Sequence, residues 1–575
     1  MTQRVAVAEA LAQCLVRERV EIVFGNPGGY FIRVLDAFAR AGLRSIEGRH
    51  EGAATYMACG YALASGRPGV VYTQSGPGTT NTLTGIASAF MDSVPIVLFA
   101  SQAPRMFWGN EGHQESTGYS RVVDQLSVFQ SCAHQLARPA IVENVIPMFR
   151  SCLRAAIGLR GPAVIDLAAD LPASEIDFED LEPQAYRADH GAIDPAGLDR
   201  LAALLAEAKQ PVLLVGDRLA HRGASATLTA FCERQDLPCA TVNYAKGLIA
   251  EDHPLSVGIV GCAGHEAAME YLRTSDLVVV LGARLNAVTT VLHDRELFKR
   301  LVHIDADPRD LGRTFPLQLG IVADPVLALE YLENSTRSRA AARGAIQRVS
   351  DLKAQFASRD TAAEVCAEQP LSTSMAMRVL REVLPRNVLM VGDTGATAVT
   401  LAQHFPVYEP DGYYALYALA SMGSGMPLAF GVQAARPSAL VCAVIGDGGF
   451  LAHVGELSVA VQNELPVIVV VINNGSYESV GARQEQWFGT RYATEIANPD
   501  YVQLAQSFGC IGHSVTTAEH LRAALTTSLE LRRPTVIEVK VARAVVGKGN
   551  PRMDELNQQL FQNASRDWPF PRPAR

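Results

Sequence analysis

The sequence predicts an α/β protein in which mostly parallel sheets are flanked by helices. Apolar runs of strand length alternate with helix-patterned segments through almost all of its 575 residues, which is typical of parallel sheets with helical crossovers. A hydrophobic content of 48% and a charged content of 19% allow large buried cores. The length fits three or four domains of ordinary size, so several such sheets are expected.

The apolar strands mark three successive α/β units. In the first unit, an amphipathic N-terminal helix precedes strand Glu21–Phe24, and the unit ends near strand Ala163–Leu167. The second unit contains the strands Pro211–Val215, Leu277–Leu281 and Leu301–Ile304.

The polar stretch 184–192 and a charged, Ala-rich stretch after 335 lack strand signals and are expected to be a linker and an exposed helical connector. The tail is rich in Pro, Arg and Asn and is expected to form a flap. The predicted division is a first domain at 1–182, a second at 193–335, a connector at 336–368, a third domain at 369–545 and a tail at 546–575.

Composition excludes several classes of function. The net charge of −9 and the pI near 5.9 argue against a nucleic-acid partner. No apolar run approaches the ~20 residues of a membrane span, and the opening segment lacks a signal-peptide core. The ten cysteines contain no C-x-x-C pair, so neither a zinc site nor a disulfide framework is indicated. A cytoplasmic location is the default expectation.

The strongest local signal is Gly-Asp-Gly at 446–448 together with Asn-Asn at 473–474, each of which follows an apolar strand. Parallel βαβ geometry places the carboxyl ends of two such strands side by side, so Asp447 and Asn474 should converge. Carboxylate and amide oxygens are ligands that Mg²⁺ prefers, and glycines let backbone N–H groups approach a diphosphate. We interpret the pattern as a metal-diphosphate anchor; an ordinary Gly turn is the alternative.

This anchor resembles the signature of thiamine diphosphate enzymes, and most of the chain resembles the acetohydroxyacid synthase (acetolactate synthase) group. The other matching stretches are Phe-Gly-Asn-Pro-Gly-Gly at 24–29, Arg-His-Glu at 49–51, Ser-Gly-Pro-Gly-Thr-Thr-Asn at 75–81, His-Gln-Glu at 113–115 and Met-Gly-Ser-Gly-Met-Pro at 422–427. The resemblance implies pyrimidine-binding, central and diphosphate-binding domains. It also implies a homodimer or homotetramer, because the cofactor lies between the first domain of one subunit and the third of another.

Glu51 is the candidate catalytic acid. It begins a helix after a short strand, and thiamine diphosphate needs a carboxyl group against its aminopyrimidine ring. Such a group belongs in a mostly apolar site, where its proton affinity can be tuned. The alternative is a first-turn helix acid stabilised by the helix dipole.

By position, the resemblance assigns Mg²⁺ to the Asp447 carboxylate, the Asn474 side chain and the Ser476 carbonyl. Its other cofactor contacts around the diphosphate are Gly395, Ala396, Thr397, Gly446, Gly448, Gly449 and Tyr477. The stretch 395–397 departs from the Gly-Gln-His-Gln common in acetolactate synthases.

The remaining implied contacts concern the cofactor rings and the substrate. Met422 would push between the rings, unless it is an ordinary core methionine, and the Ala420 carbonyl would accept from the pyrimidine amine. The residues expected to face the reacting carbon are Gly28, Gly29, His113 and Gln114. His113 replaces a Phe that is frequent in the family, and it is either a substrate hydrogen-bonding group or a satisfied histidine.

The implied activity is that of a carboligase or decarboxylase acting on a 2-oxo acid such as pyruvate, with an enamine transferred to a carbonyl acceptor. Arg483 stands where the family usually has Trp, and it would bind an anionic acceptor or remain a solvated charge. One alternative is a lyase or decarboxylase of acyl-CoA, using Arg543, Lys548 and Arg552 as a CoA site. The other is a non-catalytic structural or regulatory homologue.

The central unit is expected to resemble a nucleotide-binding domain. Arg284, Asp305 and Asp324 lie at strand ends of an open α/β sheet, where nucleotides bind. Acetolactate synthases hold FAD there. Because Gly-Ala-Arg-Leu-Asn at 282–286 is closer to oxalyl-CoA decarboxylase and 2-hydroxyacyl-CoA lyase, FAD, ADP and an empty site all remain open.

Overall fold

The computed structural model describes residues 2–188, 191–336, 344–362 and 371–543. It contains three six-stranded parallel sheets, each covered by helices, and one small two-stranded sheet. The predicted α/β architecture is confirmed. The tail predicted at 546–575, with Lys548 and Arg552, lies outside the described residues.

The first domain is built on a sheet of order β3-β2-β4-β5-β7-β6, and β1 pairs antiparallel with β8 outside it. Its elements are β1 (Thr2–Ala6), α1 (Val7–Arg17), β2 (Ile22–Gly25), α2 (Ile32–Arg40), β3 (Arg44–Glu47), α3 (Glu51–Ser65), β4 (Gly69–Thr73), α4 (Pro77–Asn81), α5 (Leu83–Met91), β5 (Ile96–Gln102), β6 (Gln135–Ala137), α6 (Val145–Gly158), β7 (Pro162–Ala168) and β8 (Glu175–Glu179).

The central domain has a sheet of order β11-β10-β9-β12-β13-β14. Its elements are α7 (Pro195–Glu207), β9 (Pro211–Val215), α8 (Ser225–Gln235), β10 (Cys239–Thr241), β11 (Ser256–Ile259), α9 (Glu266–Thr274), β12 (Leu277–Leu281), β13 (Leu301–Asp305), β14 (Leu319–Val322) and α10 (Pro325–Ser335). Helix α11 (Ala345–Ala362) connects it to the third domain.

The third domain has a sheet of order β16-β15-β17-β18-β20-β19. Its elements are α12 (Thr373–Val383), β15 (Leu389–Gly392), α13 (Ala396–His404), β16 (Tyr413–Tyr414), α14 (Gly425–Ala435), β17 (Val441–Gly446), α15 (Asp447–Ala452), α16 (Leu457–Gln462), β18 (Ile468–Asn473), α17 (Glu478–Phe488), α18 (Tyr501–Ser507), β19 (Ile511–Val515), α19 (Ala518–Leu531) and β20 (Thr535–Lys540).

Helices α3 and α14 join the first and third domains through direct backbone contact. A Cβ added to Gly60 would stand 2.1 Å from the Leu428 carbonyl oxygen, and one added to Gly431 would stand 1.8 Å from the Met57 carbonyl oxygen. Only glycine permits this approach. One hydrophobic core therefore runs through both domains, and it fixes Glu51, at the start of α3, relative to the third domain.

Three local predictions need correction. The chain opens with a strand, β1, because residues 175–179 pair with it across a long sequence separation, and the amphipathic helix begins only at Val7. The helix after the Gly-Asp-Gly motif is interrupted at His453, whose backbone angles are not helical. Helix α11 is not wholly exposed, because Val349 and Phe356 are buried.

Within the described ranges, no helix is both long and apolar enough to cross a bilayer.

Candidate active site

The Gly-Asp-Gly motif lies at the carboxyl edge of the third sheet, where β17 meets α15. Strand β18 runs parallel beside β17, with Ile472 opposite Gly446, so the turn after β18 returns to the motif. The Asp447 carboxylate accepts a hydrogen bond from the Gly475 N–H at 2.9 Å. The structure thus brings Asp447 and the turn that contains Asn474 together.

Asp447 is buried, at 3% exposure, and it retains acceptor capacity. Its two oxygens accept from the Gly448 N–H, the Gly475 N–H and the Asn498 side-chain amide, each at 2.9 Å. An ionised carboxylate offers about four lone-pair sites. One site is therefore available to a cation.

The turn after β18 supplies further oxygen donors. The side-chain oxygen of Asn474 accepts from the Ser476 N–H at 3.1 Å, and the Ser476 carbonyl accepts from the Glu478 N–H at 2.8 Å. Each of these oxygens has a second lone pair. Carboxylate, amide and carbonyl oxygens form a hard donor set, which fits Mg²⁺.

Open space lies beside this donor set. A Cβ added to Gly446 would meet only the Thr397 hydroxyl, at 3.5 Å, and one added to Gly395 would meet only the Ser479 hydroxyl, at 4.0 Å. Gly395 has a φ of 80° and immediately precedes Ala396, the first residue of α13. Because the first N–H groups of a helix lack intrahelical partners, this arrangement fits an anion such as a diphosphate.

Gly448 of the motif and the next residue, Gly449, are closely covered. A Cβ added to Gly448 would stand 2.5 Å from the Tyr477 ring, and one added to Gly449 would stand 2.3 Å from the Asp393 carboxylate. Larger residues at these positions would displace both neighbours.

Asp393 is a site residue that sequence reasoning missed. It follows β15, is 2% exposed, and accepts from the Gly423 N–H at 3.0 Å and the Gly425 N–H at 2.9 Å. Burial raises the pKa of Asp393 to about 6, while these N–H groups oppose the shift. The carboxylate thereby holds the loop that carries Met422, and it lies directly beside Gly449. An acid at the end of a buried strand was the available signal.

The loop ahead of α14 is exposed and strained. Met422 is 43% exposed, and Ala420 has a φ of 56°. A non-glycine residue seldom adopts that left-handed conformation, and such residues concentrate at functional sites. The Tyr56 hydroxyl contacts the Ser421 hydroxyl at 2.8 Å, which holds the loop against α3.

Glu51 begins α3 at the other half of the candidate site. The His50 ring caps the helix by accepting from the Gly52 N–H at 3.0 Å. The Glu51 carboxylate accepts from the Asn81 side-chain amide at 2.9 Å, and its other oxygen borders Gly78. Two motifs that sequence analysis singled out, at 49–51 and 75–81, therefore meet at this carboxylate.

Glu456 supports the segment before Glu51 from the third domain. It is 2% exposed, and its carboxylate accepts from the Arg49 and His50 N–H groups at 3.0 Å. Burial raises the pKa of Glu456 to about 7, against the effect of these N–H groups. Burial likewise lowers the pKa of the nearby His453 to about 4. Sequence analysis gave no signal for Glu456, because its partners are about 400 residues away.

Gln114 lies beside the Pro-Gly-Gly turn of the first domain. Its side-chain oxygen accepts from the Gln74 amide at 2.6 Å, and its φ of 55° is left-handed. The Gln74 oxygen accepts from the Tyr30 N–H at 3.2 Å. A Cβ on Gly28 would stand 2.0 Å from that oxygen. The structure thus joins Gly28 and Gln114 through Gln74, which was not predicted.

Gly29 and His113 complete this half of the site. A Cβ added to Gly29 would meet no atom within 4 Å, and the His113 side chain is exposed. The Tyr30 hydroxyl donates to the His113 carbonyl at 2.7 Å. His113 is therefore positioned through its backbone, and its ring faces the surface.

The two halves of the candidate site belong to different domains of the chain. Among the described residues, Glu51 and Asp447 share no hydrogen-bond partner. Large apolar side chains are exposed near both halves: Met106, Phe107, Tyr119 and Val123 in the first domain, and Leu419, Met422, Tyr477, Val480, Phe488 and Tyr492 in the third. Exposed apolar groups of this density are typical of a surface that another chain covers.

The three predicted nucleotide contacts of the central domain are engaged in ion pairs. Arg284 pairs with Asp217 at 3.3 Å, Asp305 with Arg218 at 2.9 Å, and Asp324 with Arg222 at 2.8 Å. The structure brings these residues to one edge of the sheet, but none of the three charges is free. They do not fit FAD or ADP in this arrangement.

Comparison with protein families identifies the class of protein. Models described as the N-terminal TPP binding domain, the central domain and the C-terminal TPP binding domain of thiamine pyrophosphate enzymes match residues 5–127, 198–332 and 393–539. All three matches follow the chain in order, one on each large sheet.

Similar proteins narrow the class. The chain is 30% identical to the probable acetolactate synthase large subunit of Methanocaldococcus jannaschii, over 93% of this chain and 91% of that protein. It is 32% identical to the acetolactate synthase large subunit of Parasynechococcus marenigrum, over 94% and 88%. It is 29% identical to acetolactate synthase isozyme 2 large subunit of Escherichia coli, over 93% and 95%. The chain therefore belongs to the acetolactate synthase family of thiamine diphosphate enzymes, which form carbon–carbon bonds.

Proposed function

We propose that this enzyme is a thiamine diphosphate- and Mg²⁺-dependent carboligase that uses a 2-oxo acid such as pyruvate as donor and a carbonyl compound as acceptor. The observation that carries the proposal is the buried Asp447 carboxylate, which keeps an unused acceptor site beside open space at the end of β17. Membership of the acetolactate synthase family supports the donor and the reaction class.

Asp447, the Asn474 side chain and the Ser476 carbonyl hold Mg²⁺ in this proposal. The diphosphate lies against Gly446, Gly448 and the N-terminus of α13, whose first residues include Ala396 and Thr397. Thiamine diphosphate, when bound, supplies a carbon nucleophile that attacks carbonyl groups and accepts the electron pair of the broken bond.

The chain positions and protonates the reacting groups. Glu51 holds a proton against the aminopyrimidine ring, in a segment that Glu456 fixes through two backbone N–H groups. Met422 and the Ala420 carbonyl orient the rings. Gln114 and the Gly28–Gly29 turn face the substrate, with Gln74 holding both in place.

The complete site needs two chains. Glu51 and Asp447 lie in separate halves, and apolar side chains are exposed around each half. We therefore place the cofactor between the first domain of one subunit and the third domain of another, in a homodimer or homotetramer. The domain bounds 1–182, 193–335 and 369–545 and a cytoplasmic location stay predictions.

The acceptor is proposed to be anionic. Arg483 is exposed on α17, the helix that follows the proposed Mg²⁺ donors. A guanidinium binds a carboxylate or phosphate in a bidentate manner. Arg483→Met should raise the KM for anionic acceptors at least ~10-fold, the effect of losing one charged hydrogen bond. Neutral aldehydes should be unaffected; equal effects on both would refute the role.

Product analysis tests the proposal. Purified enzyme is incubated with thiamine diphosphate, Mg²⁺ and pyruvate, alone and with neutral and anionic carbonyl acceptors, and products are identified by mass spectrometry. Acetolactate or a mixed hydroxyketone is expected, and Asp447→Asn should abolish it. Asp199→Asn, an exposed acid of the central domain, is the matched control. Absence of pyruvate turnover by cofactor-loaded enzyme would overturn the proposal.

An acyl-CoA lyase is not favoured. Its expected CoA site included Arg543, which instead pairs with Glu495 and donates to the Asn474 carbonyl. The relatives named above are acetolactate synthase subunits. A non-catalytic homologue is likewise not favoured, because the donor set at Asp447 is intact.

A further inference from the structure

The carboxyl edge of the central sheet is closed by the protein's own charges. In an open α/β sheet, a dinucleotide binds at this edge, with its diphosphate on free backbone N–H groups and its ribose on a carboxylate. The strands concerned are β9, β12, β13 and β14. The turns, the carboxylate and the helix N-terminus that a nucleotide would use at this edge all have contacts within the protein.

The backbone N–H groups after β9 are used within the protein. The Gly216 N–H donates to the Leu281 carbonyl at 3.0 Å, and the Arg218 N–H donates to the Gly282 carbonyl at 3.1 Å. A Cβ added to Gly216 would stand 2.1 Å from the Gly282 oxygen. The turns after β9 and β12 therefore touch, which leaves no space for a diphosphate between them.

The carboxylate expected to bind a ribose is also engaged. Asp305 is fully buried and pairs with Arg218 at 2.9 Å, and Arg218 reaches Asp310 at 3.3 Å. The second Asp305 oxygen has no hydrogen-bond partner among the described residues, and it is sealed from solvent. A ligand would have to separate this buried ion pair before it could reach Asp305.

The helix N-terminus nearest the edge is capped from within. Asp324 accepts from the Val326 N–H at 2.9 Å and from the Leu327 N–H at 3.4 Å at the start of α10. It also pairs with Arg222, and Gly191 lies directly against its side chain. The N–H groups that attract phosphate at other helix termini are thus satisfied by a carboxylate.

The charge balance of the cluster disfavours a diphosphate. Four arginines face four aspartates, so the cluster is balanced without a ligand: Arg218, Arg222, Arg284 and Arg313 against Asp217, Asp305, Asp310 and Asp324. Arg160 and Asp92 of the first domain also act on this cluster. A diphosphate would add about two further negative charges in a poorly solvated region.

We propose that the central domain binds neither a flavin nor an adenine nucleotide, and that its ion-pair cluster takes the structural place of that group. Carboligation by this enzyme is accordingly independent of FAD. The inference concerns the central sheet only and does not depend on which acceptor the enzyme uses.

Nucleotide content is the direct test. Purified enzyme is denatured, and the released small molecules are quantified by chromatography and mass spectrometry. Less than one nucleotide per ten chains is expected, and added FAD or ADP should change neither the melting temperature nor the carboligation rate. About one FAD or ADP per chain, or a melting temperature raised by either, would overturn the proposal. Because content is measured without turnover, the result is independent of the proposed reaction.

A variant of the ion-pair cluster tests whether the cluster is purely structural or covers a nucleotide site. Arg218→Ala leaves Asp305 and Asp310 buried without their partner, so the melting temperature should fall by several degrees. FAD or ADP should not restore it. Arg200→Ala, which removes an exposed arginine of the same domain, is the control and should have little effect. Restoration of the Arg218→Ala melting temperature by a nucleotide would contradict the proposal.

Discussion

The carboxyl edges of the third and central sheets form an instructive contrast. Both sheets have six parallel strands, and both carry acidic residues where strands end. At the third sheet, Asp447 keeps an unused lone pair beside glycines that leave open space. At the central sheet, Asp305 is paired with Arg218 and sealed. The same architecture thus supports the proposed cofactor site where a carboxylate at a strand end has acceptor capacity beside open space, and not where an arginine pairs with the carboxylate and covers it.

The largest expected effect is a loss of thiamine diphosphate affinity when Asp447, at the open edge of the third sheet, is replaced. Asp447→Ala removes the only carboxylate of the proposed Mg²⁺ donor set, so thiamine diphosphate affinity in the presence of Mg²⁺ should fall by more than ~100-fold, beyond the usual cost of losing a residue that merely supports a ligand. Isothermal titration calorimetry measures the affinity. Asp199→Asn serves as the control. Retained tight binding by the Asp447 variant would refute the assignment of Asp447 as a Mg²⁺ ligand.

The second prediction concerns the other half of the same site. Glu51→Gln cannot hold a proton against the aminopyrimidine ring. Proton exchange at the thiazolium carbon should therefore slow by roughly two to four orders of magnitude, the usual range for a positioned acid or base. Quenched-flow exchange in deuterium oxide, followed by NMR, gives the rate. Glu21→Gln, an exposed glutamate of the first domain, should exchange normally; an unchanged rate in Glu51→Gln would exclude the assignment.

The third prediction concerns the ion pairs at the carboxyl edge of the central sheet. Breaking one of them should lower the stability of the protein and leave thiamine diphosphate binding unchanged. Arg218→Ala should lower the free energy of unfolding by about 3–5 kcal/mol, the cost of leaving a buried charge unpaired. Thiamine diphosphate affinity should remain within about twofold of wild type, because the third domain carries the anchor. Denaturant unfolding and calorimetry on one preparation measure both quantities. If Arg218→Ala is as stable as wild type, or loses thiamine diphosphate while folded, the proposed difference between the two sheet edges is wrong.

The smallest expected effect is the pH dependence due to Glu456. Its pKa is raised from 4.5 to about 7 in the folded protein, so the native state loses stability as the pH rises from about 4.5 through 7. Glu456→Gln lacks the titrating carboxyl group and therefore this loss of stability. Its melting temperature relative to wild type should increase from pH 5 to pH 8. Glu530→Gln, on an exposed face of α19, should show no such trend. A parallel pH response in both variants would contradict the role of Glu456.

Sequence patterns predicted the fold well where the signal was local. Strands β9 and β12 have the predicted bounds, and the βαβ unit around Asp447 was expected. Two elements escaped for physical reasons. Strand β16 has only two residues, too few for a pattern, and β1 depends on pairing with β8.

The candidate site was predictable only in part. Glycine-rich turns and acids near strand ends are visible in the sequence, and they led to Glu51 and Asp447, whereas Gln114 followed from the family resemblance. Gln74 and Glu456 were missed because they act by hydrogen bonding to residues that are distant in sequence. The ion pairs that close the central sheet could not be predicted either, since the partners of Arg284, Asp305 and Asp324 depend on how the turns approach one another.

Native mass spectrometry is the most direct test of whether the third sheet binds a cofactor and the central sheet does not. The protein is equilibrated with thiamine diphosphate, Mg²⁺, FAD and ADP together, and the ligands retained by each chain are counted. One thiamine diphosphate and one Mg²⁺ per chain, with neither FAD nor ADP, is the expected result. Retention of a nucleotide, or absence of thiamine diphosphate, would contradict the account of which strand edge is open and which is closed.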